Sequence, residues 1–284
     1  MFRTRLLSGI VLVILAFVMI ASGGIVMAAS LCIISMIAYR ELIKAMGVNK
    51  QDRGVNALEL FGYVMIVLYY AALYVGMRAE KYNKDMIYGI LATALVAALL
   101  VFLFCYVFRF PTYHAGQVMA AYFAFVYAPV LLSFLYLIRE GWEHGFYLVW
   151  LVFLCSWGSD TCAYCVGVLF GKHKMAPKLS PKKSVEGGIG GVVGAAILFG
   201  LYTYFVINPF SAEDYMLHWG GAMCLGAFGA LISMIGDLAA SAIKRDNEIK
   251  DYGKLIPGHG GIMDRFDSVI VAAPLIFFGL VFIA

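Results

Sequence analysis

Long apolar stretches alternate with short polar ones along the chain, and this pattern predicts a bundle of transmembrane helices. A helix needs about 20 mostly apolar residues to cross the hydrocarbon core of a bilayer. The stretches that meet or approach this length are 6–21, 23–39, 58–77, 86–108, 116–138, 145–169, 187–207, 216–243 and 262–283. The first two are short, and the Ser22-Gly23-Gly24 break between them predicts either a tight hairpin or a bend in one long helix.

Composition supports a membrane protein. The 284 residues are 63% hydrophobic and 13% charged, with a mean hydropathy of +0.88. A soluble domain averages about 25% charged residues. We therefore expect an all-α integral membrane protein, a polytopic bundle of about nine transmembrane helices.

The distribution of Lys and Arg predicts the orientation of these helices. If the N-terminus lies inside, all but four of the 21 basic residues fall on the inner face; the exceptions are Arg78, Lys81, Lys84 and Arg139. Cytoplasmic loops carry such an excess of positive charge. We expect a multi-pass protein of the cell membrane, whose basic cytoplasmic face attracts anionic lipids and anionic soluble substrates rather than nucleic acid.

Ionisable residues divide the chain into two predicted regions. Residues 1–110 carry almost none inside their predicted spans, so we expect a transmembrane scaffold there and a catalytic region in 111–284. A charged residue at the centre of a membrane helix costs about 2.5–3.5 kcal/mol and usually faces a functional cavity. The acidic residues placed in or at the ends of later spans are Asp160, Asp237, Asp264 and Asp267.

These carboxylates predict a divalent cation site. Asp264 and Asp267 are three residues apart and share one helix face, and Asp237 comes from the preceding span. Like charges repel strongly in an apolar setting unless a cation compensates them. Oxygen-only ligands favour Mg²⁺ or Mn²⁺ over Zn²⁺, and Mg²⁺ bound by carboxylates usually also takes substrate phosphates.

Donors for several phosphate groups accompany the carboxylates. The basic side chains are Lys172, Lys182, Lys183, Lys244, Arg245, Lys250 and Arg265. The Gly258-His259-Gly260-Gly261 turn can present backbone N–H groups at the start of the last helix, where an anion is favoured. The glycine pairs at 187–188 and 190–191 predict either a second anion site or close helix packing.

The segment SAIKRDNEIKDYGKLIPGHGGIMDRFD, residues 241–267, resembles the signature of phosphatidate cytidylyltransferases, also called CDP-diacylglycerol synthases. The matching positions are Ser241, Lys244, Arg245, Lys250, Asp251, Gly253, Pro257, His259, Gly260, Gly261, Asp264, Arg265 and Asp267. A second block, residues 159–191, also resembles the family, with Ser184 where Thr is commoner. The resemblance covers about residues 150–284, and before that only the hydropathy matches.

The resemblance implies an enzyme of phospholipid biosynthesis that makes CDP-diacylglycerol and pyrophosphate from CTP and phosphatidic acid at the cytoplasmic face. It implies Mg²⁺ held by Asp237 and Asp264, a second cation, divalent or K⁺, and a homodimer. The implied catalytic residues are Asp237, Asp264, Lys244, Arg245, His259 and Asp267. The implied substrate-binding residues are Asp160, Lys172, Lys182, Lys183, Ser184, Glu186, Lys250, Asp251 and Arg265.

Two other classes of membrane protein share some of these features. A secondary transporter for an anionic solute also has intramembrane carboxylates, but inverted repeats with broken helices are typical of it and none is evident. A CDP-alcohol phosphatidyltransferase or a polyprenyl transferase has its own Asp-rich helix motif, and the D-G-x2-A-R and D-D-x2-D spacings are absent from this sequence.

The predicted topology can be tested with reporter fusions. A reporter after Ala284 should be extracytoplasmic, and one inserted in the loop 172–186 should be cytoplasmic, because nine crossings separate the two ends of the chain. A cytoplasmic C-terminus would instead mean eight crossings, with the region 6–39 forming one bent or re-entrant element.

Overall fold

The structure is a computed structural model and describes residues 2–49, 54–79, 84–210, 217–258 and 260–283. Within these ranges the chain forms long helices and one small hairpin. The elements are α1 (Phe2–Ser22), α2 (Gly24–Ala45), α3 (Ala57–Arg78), α4 (Lys84–Phe108), α5 (Ala115–Gly141), α6 (Gly145–Phe170), β1 (Lys174–Ala176), β2 (Ser180–Ser184), α7 (Val185–Ile207), α8 (Trp219–Asp246) and α9 (Met263–Ile283).

The predicted fold class is confirmed. Eight of the described helices, α2 to α9, are long and apolar enough to cross a membrane, and the apolar part of α1, Leu7–Ser22, is shorter. Among the described residues, two strands form an antiparallel pair, β1–β2, in which Lys174 lies opposite Ser184 and Ala176 opposite Ser180. It forms in the segment that the sequence had marked only as a lysine-rich loop.

The break between the first two helices is a hairpin. The hydroxyl of Ser8, near the start of α1, donates to the carbonyl of Pro257 (3.2 Å). The carboxylate of Glu41, near the end of α2, accepts from the backbone N–H of Ile262 (3.1 Å). In one continuous helix Ser8 and Glu41 would be about 50 Å apart, which residues 257–262 cannot bridge. The chain turns at Gly23, whose φ of 58° suits glycine.

Two compact units make up the chain. Unit 1 contains Met1–Tyr136 and Asp246–Asp264, and unit 2 contains Leu137–Arg245 and Arg265–Ala284. The segment that follows α8 therefore groups with the N-terminal helices. The predicted division of function at residue 110 does not coincide with these structural boundaries, and as a division of function it stays a prediction.

Buried tyrosines join three helices in unit 1. The hydroxyl of Tyr70 on α3 lies 2.9 Å from Ser35 Oγ on α2 and donates to the carbonyl of Pro129 on α5 (3.1 Å). One residue earlier, Tyr69 and Ser133 of α5 are hydrogen-bonded at 2.7 Å. Because a buried hydroxyl without a partner is costly, these bonds fix how α2, α3 and α5 pack against one another.

Glycines set the packing of α6 against α7 in unit 2. A Cβ added at Gly191 would lie 3.0 Å from the carbonyl oxygen of Ser159 and 3.1 Å from the Cβ of Ala163. One turn earlier, a Cβ at Gly187 would lie 2.7 Å from the carbonyl oxygen of Ala163. The glycine pairs at 187–188 and 190–191 were predicted to form either an anion site or a close helix contact. The close helix contact is confirmed at Gly187 and Gly191.

A π-helical segment, Leu154–Gly158, interrupts α6 just before Ser159 and Asp160. Such a segment adds a residue to one turn and changes the direction of the side chains that follow, and it is frequent at functional sites. In this structure it immediately precedes the one carboxylate that α6 contributes.

The glycine packing predicts opposite effects for two identical substitutions. Gly191→Ala should lower the free energy of unfolding by about 1–3 kcal/mol, because its Cβ overpacks the α6–α7 contact. Gly89→Ala on α4 should leave stability unchanged or slightly raised, since nothing lies within 4 Å of the added atom. Thermal unfolding of both variants in one detergent measures the difference, and equal melting temperatures would contradict the proposed packing.

Candidate active site

A cavity of about 470 Å³ lies in unit 2 among α6, the hairpin, α7 and α8. Its charged lining residues are Asp160 from α6, Lys182 and Lys183 from β2, and Asp237 from α8. Most of the remaining wall is apolar, with Tyr164, Val168, Met175 and Met234 among its members. The expectation that Asp160 and Asp237 face a cavity is confirmed, and the hairpin brings Lys182 and Lys183 to the same wall.

An ion pair between Lys183 and Asp237 links the hairpin to α8. About a quarter of each side chain is exposed, at 24% for Lys183 and 25% for Asp237. Asp160 interacts electrostatically with both of these side chains and with Arg265. Two carboxylates and one lysine thus share a mostly apolar cavity, and the lysine compensates part of their charge.

The hairpin is attached to the start of α7 by Glu186. Its carboxylate accepts from the backbone N–H of Lys172 (3.0 Å) and of His173 (3.2 Å), and it contacts His173 Nδ1 at 2.6 Å. Ser184 caps the same helix, because its hydroxyl accepts from the N–H of Gly187 (3.2 Å). Ser184 and Glu186 were predicted to bind substrate; their contacts in the structure hold the strand that carries Lys182 and Lys183.

Close approach of α8 and α9 brings further charge together. A Cβ added at Gly236 would lie 2.9 Å from the Val271 side chain and 3.0 Å from the Asp267 carbonyl oxygen. Asp267 is buried and interacts electrostatically with Asp237, Lys244 and Arg265. Its Oδ1 accepts from the N–H of Ser268 (2.8 Å).

Arg265 has a donor that no described residue satisfies. Its Nε is buried and lacks a hydrogen-bond partner within the part of the chain that the structure describes. Buried polar groups are nearly always paired, so an unpaired guanidinium N–H indicates a place where an anionic group would be accepted.

Asp264 organises the part of the signature segment that belongs to unit 1, residues 246–264. This carboxylate is 7% exposed, and its Oδ2 accepts from the backbone N–H of Tyr252 (2.8 Å) and of Gly261 (2.9 Å). Gly258 and Gly260 have φ values of 77° and 89°, which only glycine adopts readily. His259, predicted to be catalytic, lies outside the described residues.

Glu41 also contacts this segment, and the sequence did not predict it. Its carboxylate accepts from the N–H of Ile262 and from the N–H of Met263, at 3.1 and 2.8 Å. The predicted phosphate site at the start of α9 does not fit the amides of residues 261–263, because Asp264 and Glu41 already take them. Glu59 is a second buried carboxylate of residues 1–110, whose predicted spans carry almost no ionisable residues.

The remaining charged residues of the predicted site lie at the surface or near it. Lys250 and Asp251 are exposed and line a groove of about 1110 Å³ in unit 1, together with Lys44 and Lys254. At the end of α8, Arg245 is exposed and Lys244 is half-buried, and Lys172 is exposed at the start of the hairpin segment.

The carboxylates of the cavity fit a hard cation that takes only part of its ligands from protein. Among the described residues, no group of three or more His, Cys, Asp or Glu side chains is placed to hold a metal ion. Mg²⁺ is commonly bound by one or two carboxylates together with substrate phosphates and water. Asp160 and Asp237 are such a pair. Asp264 belongs to the other unit, so joint binding by Asp237 and Asp264 stays a prediction.

Comparison with known proteins identifies related sequences. A phosphatidate cytidylyltransferase of Staphylococcus aureus (strain COL) is 30% identical over 274 residues, which are 96% of this chain and 97% of that protein. Phosphatidate cytidylyltransferases of Haemophilus influenzae and Synechocystis sp. are 42% and 38% identical over 131 and 148 residues. These two shorter matches cover 44% and 48% of the relatives' own length.

A model of the Cytidylyltransferase family matches residues 3–283. This match covers the eight long apolar helices of the described chain, the hairpin and the signature segment, and so includes the cavity of unit 2 and the carboxylates of unit 1. The chain therefore belongs to the Cytidylyltransferase family.

Proposed function

We propose that this protein transfers CMP from CTP to phosphatidic acid, giving CDP-diacylglycerol and pyrophosphate. The observation that carries the proposal is the relationship to the S. aureus phosphatidate cytidylyltransferase, which extends over 96% of this chain. The cavity of unit 2 supports it, because basic and acidic side chains at one part of the wall suit phosphate groups. The apolar wall formed by Tyr164, Val168 and Met175 suits the acyl part of a lipid.

In the proposed reaction, a phosphate oxygen of phosphatidic acid attacks the α-phosphorus of CTP. The bond between the α-phosphorus and the bridging oxygen to the β-phosphorus breaks, and pyrophosphate leaves with the electron pair. The attacking phosphate is already ionised, so no residue is needed as a general base. Catalysis of such a transfer consists mainly of positioning and charge neutralisation.

The basic residues of unit 2 support this part of the proposal. Lys183 lies in the cavity and forms an ion pair with Asp237, and Lys182 is exposed in the same wall. The buried Nε of Arg265 has no hydrogen-bond acceptor among the described residues. When phosphates enter, Lys183 can exchange its carboxylate partner for a phosphate oxygen, which would release Asp237. Charge-assisted hydrogen bonds of this kind are shorter and stronger than neutral ones.

Mg²⁺ is part of the proposal, with Asp237 and Asp160 as candidate ligands in unit 2 and Asp264 as the further ligand that the resemblance implies. Bound by these carboxylates, Mg²⁺ would neutralise part of the negative charge of the phosphates. The location in the cell membrane, with the active site toward the cytoplasm, is likewise proposed from the distribution of Lys and Arg.

The function is tested with the purified protein in liposomes containing phosphatidic acid. With CTP and Mg²⁺ we expect a cytidine-containing lipid and one pyrophosphate for each lipid formed. Diacylglycerol, which lacks the attacking phosphate, serves as the matched control and should give no product. Product formation from diacylglycerol, or none from phosphatidic acid, would contradict the proposed function.

The hairpin lysines should contribute to substrate binding more than to stability. Lys182→Ala and Lys183→Ala should each raise the apparent KM for CTP or for phosphatidic acid by about ten-fold, the size expected for losing a hydrogen bond to a charged group. Lys178→Ala removes an exposed lysine from the same hairpin segment and should change nothing. If both site variants have the kinetics of Lys178→Ala, these lysines only mark the topology.

The carboxylate assignment predicts loss of turnover without loss of folding. Asp237→Asn and Asp264→Asn should abolish product formation. Asp267→Asn should be damaging but partial, because Asp267 is not a proposed metal ligand and it interacts with Arg265. Chelation should abolish the wild-type activity and Mg²⁺ should restore it. The control Asp85→Asn, at the exposed start of α4, should remain active. Near-normal Mg²⁺-dependent turnover by Asp264→Asn would contradict its assignment as a metal ligand.

A further inference from the structure

Glu41 holds the signature segment from the opposite end of the sequence. The residue lies on α2, is 9% exposed, and directs its two carboxylate oxygens to two successive amides, those of Ile262 and Met263. These amides are at the start of α9, where the helix leaves backbone N–H groups without intrahelical partners. A carboxylate is favoured there because the helix dipole places positive charge at this end.

The surrounding backbone is shaped to this carboxylate. A Cβ added at Gly253 or at Gly261 would overlap the Glu41 side chain, so the segment closes around it on two sides. Together, Glu41 and Asp264 accept four backbone N–H groups, those of Tyr252, Gly261, Ile262 and Met263. Gly261, held by Asp264, and Ile262, held by Glu41, are consecutive residues.

Burial of a carboxylate does not by itself stabilise the folded protein, because removing the charge from water is costly. Two backbone amides and a helix dipole offset this cost, and in return the carboxylate fixes the positions of the residues that donate to it. The residue that follows Ile262 and Met263 is Asp264. The pair of bonds from Glu41 therefore restricts the direction in which the Asp264 side chain leaves the helix.

We infer that Glu41 is a positioning residue for the reaction: by binding the amides of Ile262 and Met263 it presents the Asp264 carboxylate in one orientation. This role rests on the proposed function, because Asp264 is its predicted metal ligand. Glu41 itself touches no reacting atom.

The test compares Glu41→Gln with two other variants. Gln keeps the size of the side chain but has only one acceptor oxygen, whereas the amides of Ile262 and Met263 each bond to a different oxygen of Glu41. The NH₂ group of Gln would face the second of these amides and could not accept from it. Glu41→Asp retains both oxygens on a shorter stem. Glu59→Gln is the matched control, because Glu59 is 1% exposed in the same unit and bonds to Asn49 and Tyr63 rather than to the signature segment.

We expect Glu41→Gln to lower kcat about 10–100-fold, the range found when a group that orients a metal ligand is removed. The KM values for CTP and phosphatidic acid should change little, while more Mg²⁺ should be needed for half-maximal turnover. Glu41→Asp should recover part of the lost kcat. Glu59→Gln should lower the melting temperature and keep kcat. Wild-type kcat in Glu41→Gln, or equal losses of kcat in Glu41→Gln and Glu59→Gln, would overturn the inference.

Hydrogen exchange gives a measure that does not depend on activity. Amides of the peptide 252–263 should exchange faster in Glu41→Gln than in the wild type or Glu59→Gln, in the absence of substrate and metal. Unchanged exchange would overturn the inference even if the wild type is an active cytidylyltransferase. An inactive wild type would overturn the proposed function, and the exchange would still decide whether Glu41 holds the segment. If Glu41→Gln does not fold, kcat and amide exchange are measured on Glu41→Asp instead. A kcat and an exchange rate equal to those of the wild type would then contradict the inference.

Discussion

The signature segment depends on two buried carboxylates that accept backbone N–H groups. Asp264 takes the amides of Tyr252 and Gly261, and Glu41 takes those of Ile262 and Met263. The segment buries Tyr252, Ile256 and Ile262, but its glycines allow the backbone between these side chains many conformations. The four hydrogen bonds restrict that backbone. They also explain why the N-terminal helices group with the segment, although more than 200 residues of sequence separate Glu41 from Met263.

The helices of this fold could be predicted from hydropathy, because crossing a bilayer demands long apolar stretches whatever the partner of each helix. Hydropathy could not decide between a hairpin and a bend at Gly23, since that depends on contacts of Ser8 and Glu41 with a distant segment. The β-hairpin was also missed. Its strands are short and lysine-rich, and it is held by Glu186, whose bonds to residues 172 and 173 have no periodic pattern.

The site was predictable where a charged residue lies in an apolar stretch, as with Asp160 and Asp237, because such a residue is costly unless it has a function. A serine at a helix start is a typical N-cap, and the structure shows the bond from the N–H of Gly187 to Ser184. This pattern does not predict the bonds of Glu186 to the amides of residues 172 and 173. Glu41 was missed because it comes after the predicted end of its span, and its contacts are all long-range. Its only sequence signal was a carboxylate close to the end of an apolar stretch.

Two buried carboxylates that already hold four amides should keep the signature segment ordered before any substrate binds. Amide hydrogen exchange of the wild-type protein, measured across residues 252–263 with and without CTP, tests this most directly. We expect slow exchange at Tyr252, Gly261, Ile262 and Met263 in the substrate-free protein, and little further protection when CTP is added. Rapid exchange at these amides without substrate, with protection appearing only in the presence of CTP, would contradict the preformed segment.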